Sequence, residues 1–102
     1  MIRLTTGRLM RRVLVVDDEE NLRHMLQILL RREGYAAVGA SSVDAALIEI
    51  ERQPFDIIIT DLRMPGRTGL DLIDEVRRRN LDTTVVVMTA YGSKEVAIEA
   101  MK

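Results

Sequence analysis

Asp17, Asp18 and Asp61 each follow a short, solidly hydrophobic run: Val13-Leu14-Val15-Val16 precedes the first two, and Ile57-Ile58-Ile59-Thr60 the third. If those runs are neighbouring parallel strands, the three carboxylates converge at one edge, outside the carboxyl ends of the strands where open α/β sheets hold their ligands. Like charges held so close repel, and the cluster either raises a pKa or recruits a cation. The chain has no cysteine and one histidine, His24, so ligation is by oxygen and selects a hard ion. Magnesium fits, because it keeps several waters and takes one or two protein carboxylates beside an anionic substrate. A local reading competes. Aspartate after a strand is also an ordinary cap or turn former, and Asp18 or Glu20 can serve only the first turn of the helix that follows. Three acids, each closing or following an apolar run, favour the pocket.

Two other stretches reach the same edge. Thr89 and Ala90 follow the run Thr84–Met88, where a hydroxyl can hydrogen-bond an anion held by the metal or satisfy local backbone. Met64-Pro65-Gly66 turns the chain after Asp61, and the residues between can offer a backbone carbonyl to the ion.

The elements that must position these groups alternate. After Val13–Val16, Leu22, Met25, Leu26, Leu29 and Leu30 recur at helical spacing, and Gly34 stops that helix. Tyr35–Ala40 reads as a weaker second strand. Ser41 or Ser42 caps a helix with Val43, Ala46, Leu47 and Ile50 inward, ended by Pro54. Phe55–Thr60 is almost wholly apolar, as a strand covered on both faces is. Asp61–Gly69 is a loop, and Leu72, Ile73 and Val76 line a third helix. Thr84–Met88 is the fourth strand, Thr89–Gly92 a loop, and Ser93 caps a fourth helix carrying Val96, Ala97, Ala100 and Met101. This order implies right-handed crossovers and a parallel α/β sheet with helices on both faces. Residues 1–10 read as an N-terminal extension and 11–102 as the domain.

Composition bounds the partners. At 102 residues, 47% hydrophobic and 30% charged, the chain is one globular domain. Its formal net charge of -1 lacks the cationic excess of a dedicated nucleic-acid binder, so no direct nucleic-acid contact is expected. No apolar stretch approaches the roughly 20 residues of a membrane span, and the N-terminus lacks the apolar core of a signal peptide. The cytoplasm is the expected compartment, with no membrane partner. His24 reads as a surface residue of the first helix, and Arg77, Arg78 and Arg79 as the solvated end of the third.

With these residues in place, three motifs together resemble the receiver domain of bacterial two-component response regulators: Val-Leu-Val-Val-Asp17-Asp18-Glu-Glu, Ile-Thr-Asp61-Leu-Arg-Met-Pro65-Gly-Arg-Thr-Gly69 and Val-Val-Met-Thr89-Ala90-Tyr91-Gly92. The resemblance implies a flavodoxin-like sheet. It also implies that Asp61 takes a phosphoryl group from a phosphohistidine on a sensor histidine kinase. Asp17, Asp18, Asp61 and the main-chain carbonyl of Arg63 would hold Mg2+, Thr89 and Ala90 would contact the phosphoryl group, and Tyr91 would lie in the switch loop. Finer texture, including Ala97-Ile98-Glu99-Ala100-Met101-Lys102, is similar to the NtrC-like class. In that class an ATPase domain acting on sigma-54 polymerase and a DNA-binding domain follow, and neither is present among these residues.

The pattern departs from the family by omission. The family's fifth strand, with its phosphoryl-binding lysine, and its fifth helix have no counterpart here, and Lys94 and Lys102 do not match that lysine. The resemblance therefore implies a truncated receiver with impaired phosphotransfer. It also implies a homodimer through the apolar edge strand Val85–Met88 or through exchanged elements, since the helix-one stripe loses its neighbour. Two rivals stand beside it: a phosphorylation-defective interaction module and a magnesium-dependent phosphohydrolase, for which the chain is short.

Overall fold

A computed structural model describes residues 10–88 and the strand 96–100. The order is β1 (Arg12–Val16), α1 (Glu20–Arg32), β2 (Ala36–Ala40), α2 (Val43–Arg52), β3 (Ile57–Asp61), α3 (Gly69–Arg78), β4 (Thr84–Met88) and β5 (Val96–Ala100). One sheet runs β2-β1-β3-β4-β5. Its first four strands are parallel, with Val13 opposite both Ala37 and Ile57, and Asp61 opposite Met88. This is the α/β parallel architecture that the alternation predicts, and among the described residues there is no fifth parallel strand and no fifth helix.

Alternate residues of each strand serve opposite faces, and the two faces differ. Leu14, Val16, Ile58, Val85 and Val87 pack with Val43 and Ala46 of α2 and Leu72, Ile73 and Val76 of α3, forming the main core. Each large aliphatic side chain buried there contributes on the order of 1.5–3 kcal/mol. On the other face Val13 and Val15 are fully buried, while α1, packed on β1 and β2, has no buried residue of its own. Met25, Ile28 and Leu29 are each about half exposed, at 50%, 53% and 46%. Of the expected helix-one stripe, Met25 and Leu29 are uncovered, with Ile28 beside them, while Leu22 and Leu26 are part-buried.

Caps set the helix starts. Ser42, rather than Ser41, caps α2, its hydroxyl accepting from the Ala45 amide at 3.0 Å. Thr68 and Asp71 form a reciprocal capping box at α3. Gly34, with φ of 95°, closes the turn after α1 in a conformation only glycine adopts without strain.

One element is corrected. The predicted fourth helix does not form over Val96–Ala100, which instead pairs antiparallel with β4, from Met88 opposite Val96 to Thr84 opposite Ala100. The unpaired main-chain groups of an apolar edge strand are a ready template, and Val96 and Ile98 also alternate at strand period. An antiparallel partner needs only a short connection, whereas a parallel one needs a dozen or more residues; residues 89–95 suffice for the first alone. The same pairing overturns the exposed edge at Val85–Met88, which is covered by β5. Residues 1–9 of the expected N-terminal extension 1–10, and the Ser93 cap, lie outside the described residues.

Candidate metal centre

β1 and β3 are adjacent and parallel, so their carboxyl ends point the same way. Asp17 and Asp18 follow β1 directly and Asp61 is the last residue of β3. The sheet thereby brings one carboxylate oxygen from each of the three within 4.8 Å of the others. Asp17 is buried, Asp61 half-buried and Asp18 exposed, a gradient from sheet to solvent.

Asp17 serves two purposes. Its Oδ1 accepts from the Glu19 amide at 2.8 Å and turns the chain into α1. Its Oδ2 is buried with no hydrogen-bond partner among the described residues. Burial raises the Asp17 carboxyl above its ordinary value. The Glu19 amide works against that rise, while repulsion from Asp61, Asp18 and Glu19 adds to it. A buried, unsatisfied carboxylate oxygen is costly, and facing two other acids it is what a hard cation would satisfy. No side chain caps α1, whose N-cap is Glu19; the local, turn-forming role falls to Asp17 Oδ1 and leaves Oδ2 for the pocket.

Asp61 is fixed from both sides. The Leu62 amide donates to the Met88 carbonyl at 3.1 Å, and the Gly69 amide to the Leu62 carbonyl at 3.0 Å. The buried Thr60 hydroxyl donates to the Asp61 carbonyl at 3.0 Å. The Arg63 amide donates to Asp61 Oδ1 at 3.3 Å, drawing the main chain back against the carboxylate. Asp61 thus belongs to the strand, although the sequence reading put it in the loop.

Sequence reasoning placed Gly69 at the end of a loop and missed its steric role. A Cβ there would stand 2.5 Å from the Asp61 carbonyl oxygen and 3.1 Å from Leu62 Cα, so only glycine lets α3 start this close to the acid. Nothing periodic marks this; it depends on contact between a strand end and a helix start. Thr89, Ala90 and Tyr91 lie outside the described residues. Lys94 and Lys102, which do not match the family lysine, lie outside them as well.

A model of the response regulator receiver domain family matches residues 13–102. The chain belongs to that family. The receiver is 41% identical over 91 residues to the response regulator protein PilR of Pseudomonas aeruginosa. It is 40% identical over 90 residues to the transcriptional regulatory protein ZraR of Escherichia coli. These matches take in 89% and 88% of the receiver but only 20% of each relative, so the chain spans about a fifth of their length.

Among solved structures it resembles the response regulator TrrA of Thermotoga maritima in complex with Mg(2+)-BeF. The TM-score is 0.76 at 38% identity, over 81% of this chain and 72% of that one. TrrA in complex with the histidine kinase ThkA is similar too, with TM-score 0.75 at 38% identity, over 82% and 72% of the two chains. No helix among the described residues is long and apolar enough to cross a membrane.

Proposed function

We propose that this receiver takes a phosphoryl group from a sensor histidine kinase onto Asp61, with Mg2+ held by Asp17, Asp18, Asp61 and the main-chain carbonyl of Arg63. The observation that carries the reading is the convergence of three carboxylates within 4.8 Å at the carboxyl ends of β1 and β3. Support comes from TrrA, solved with Mg(2+)-BeF and with the kinase ThkA.

A carboxylate oxygen of Asp61 forms the new P–O bond as the P–N bond of the phosphohistidine breaks, and the imidazole keeps the electron pair. The attacking group is a carboxylate, so no separate general base is required. β3 and the bond from the Arg63 amide hold the nucleophile in place, so positioning supplies part of the rate. A bound divalent ion would neutralise charge gathering on the transferred oxygens. Thr89 and Ala90 serve as phosphoryl contacts and Tyr91 as part of the switch loop, on the motif they share with the family.

In the full-length protein the switch would act on an output with ATPase and DNA-binding domains, as the NtrC-like texture implies, in a cytoplasmic regulator. We assign residues 11–102 to the domain and 1–10 to an extension. For self-association, expected at the β4 edge or through exchanged elements, the half-exposed Met25, Ile28 and Leu29 of α1 offer the surface, because β5 occupies that edge.

A small phosphodonor with Mg2+, followed by intact mass, tests the reading. A gain of one phosphoryl group, lost in Asp61→Asn, is expected. Failure to gain one with Mg2+ bound would favour the phosphorylation-defective interaction module.

A further inference from the structure

Arg23 lies one turn into α1, on the side that packs over β2, and it belongs to no ligand set. Its guanidinium Nη1 donates to the Asp17 main-chain carbonyl at 2.9 Å. Asp17 is held twice more, its amide donating to the Ala40 carbonyl at 3.1 Å and its Oδ1 accepting from the Glu19 amide at 2.8 Å. The Arg23 amide in turn donates to the Glu19 carbonyl at 3.0 Å. Asp17 is therefore clamped to the end of β2 and to the first turn of α1, with Oδ2 left unengaged among the described residues.

The path of the arginine explains a second residue. A Cβ on Gly39 would lie 3.2 Å from Arg23 Cδ and would overlap Gln27 Oε1. Gly39 has no positive φ, so the requirement there is for space. Gly39 stands opposite Val15 in the β1–β2 register, and Val15 lies two residues before the acid that Arg23 holds; the space a side chain would take at Gly39 holds the end of Gln27 and the Arg23 stem.

We propose that Arg23 is a positioning residue for the cation pocket, acting through the Asp17 carbonyl, and that Gly39 leaves the space for its stem. Asp17, Asp18, Glu19 and Glu20 are four consecutive acids whose mutual repulsion works to spread the turn. A cation placed on a carboxylate would compete with the metal. Placed on the carbonyl, it ties the turn and leaves Asp17 Oδ2 available. The proposal rests on the receiver reading of the site.

The test is magnesium titration, followed by amide chemical shifts around Asp17, Asp18 and Asp61, on the parent chain, Arg23→Gln, Arg23→Lys and Gly39→Ala. Thermal unfolding of each is measured without metal. Arg23→Gln is expected to weaken magnesium affinity about tenfold, the lower range for loss of an outer-sphere partner, and Arg23→Lys to recover part of it. Gly39→Ala should weaken affinity with Arg23 still in place, and adding Arg23→Gln to it should cost little more. Equal affinity in parent and Arg23→Gln, with only metal-free stability changed, overturns the proposal and leaves Arg23 a structural residue. A parent chain that binds no magnesium overturns the receiver reading itself, so the two failures are distinct.

Discussion

Asp17 carries the conflict of the site within one side chain. Its burial favours the neutral form while its neighbours add repulsion, so its folded-state pKa lies above the unfolded one. A group shifted this way stabilises the fold most below its unfolded pKa, about 3.9 for aspartate. That contribution is lost as pH rises through the raised value. The metal-free receiver should therefore weaken over that rise, and excess Mg2+, which favours the ionised form, should offset the loss. Glu75, held low by hydrogen bonds from Arg78 and Arg79, titrates with the opposite sign. The informative measurement is thus the difference in melting temperature between parent and Asp17→Asn across pH. We expect Asp17→Asn to be the more stable at neutral pH without metal. If the gain is about 1 kcal/mol it appears as roughly 4–8 °C in a domain this size, with magnesium binding strongly weakened. A melting temperature that falls on substitution would mean that the buried carboxylate is satisfied.

The start of α3 is where an element and the site are least separable. Thr68→Ala removes the capping-box hydroxyl and should cost about 1 kcal/mol in chemical unfolding, with magnesium affinity little changed. Gly69→Ala should do more, roughly 1–3 kcal/mol as for other overpacked contacts. It should also lower magnesium affinity, because the added methyl meets the Asp61 carbonyl; unchanged affinity would show that α3 shifts without moving the acid. How much of this was legible follows from range. Strands β1 to β4 and helices α1 to α3 announce themselves by apolar runs and i, i+3, i+4 spacing. The acidic cluster follows from which runs end in aspartate. Gly69, Gly39 and Arg23 leave no periodic mark, because their roles arise from contacts between elements. The segment 96–100 carries both periods at once, and the unpaired β4 edge, a tertiary feature, decides for strand over helix. Cross-strand Hα contacts between Met88 and Val96, with extended chemical shifts over 96–100, are the expected NMR signature; helical shifts there would reverse the assignment.

At the scale of the whole molecule the two faces of the sheet are unequal. The α2–α3 side is a closed core, while α1 leaves three large apolar side chains half in water. A patch of a few hundred Å2 is a recognised interaction surface, though a standard interface takes about 800 Å2 per partner, so polar rim residues must join it. Light scattering should show concentration-dependent dimer formation that Ile28→Glu suppresses without loss of the fold. A monomer at high protein concentration would remove self-association from the account.

The antiparallel pairing of β5 also bears on how the chain reaches this arrangement. Each parallel strand pair must close over a crossover containing a helix, which is a slow, non-local event. β4 and β5 need close only the short connection 89–95, and hairpins form in about 1–10 μs. β4 can therefore enter the sheet already guarded on its outer side, with only the edge that will meet β3 open. In pulse-labelled refolding, β4 amides that pair with β5 should gain protection before those of β1 and β3, so a strand acquires its chaperone from the segment that directly follows it.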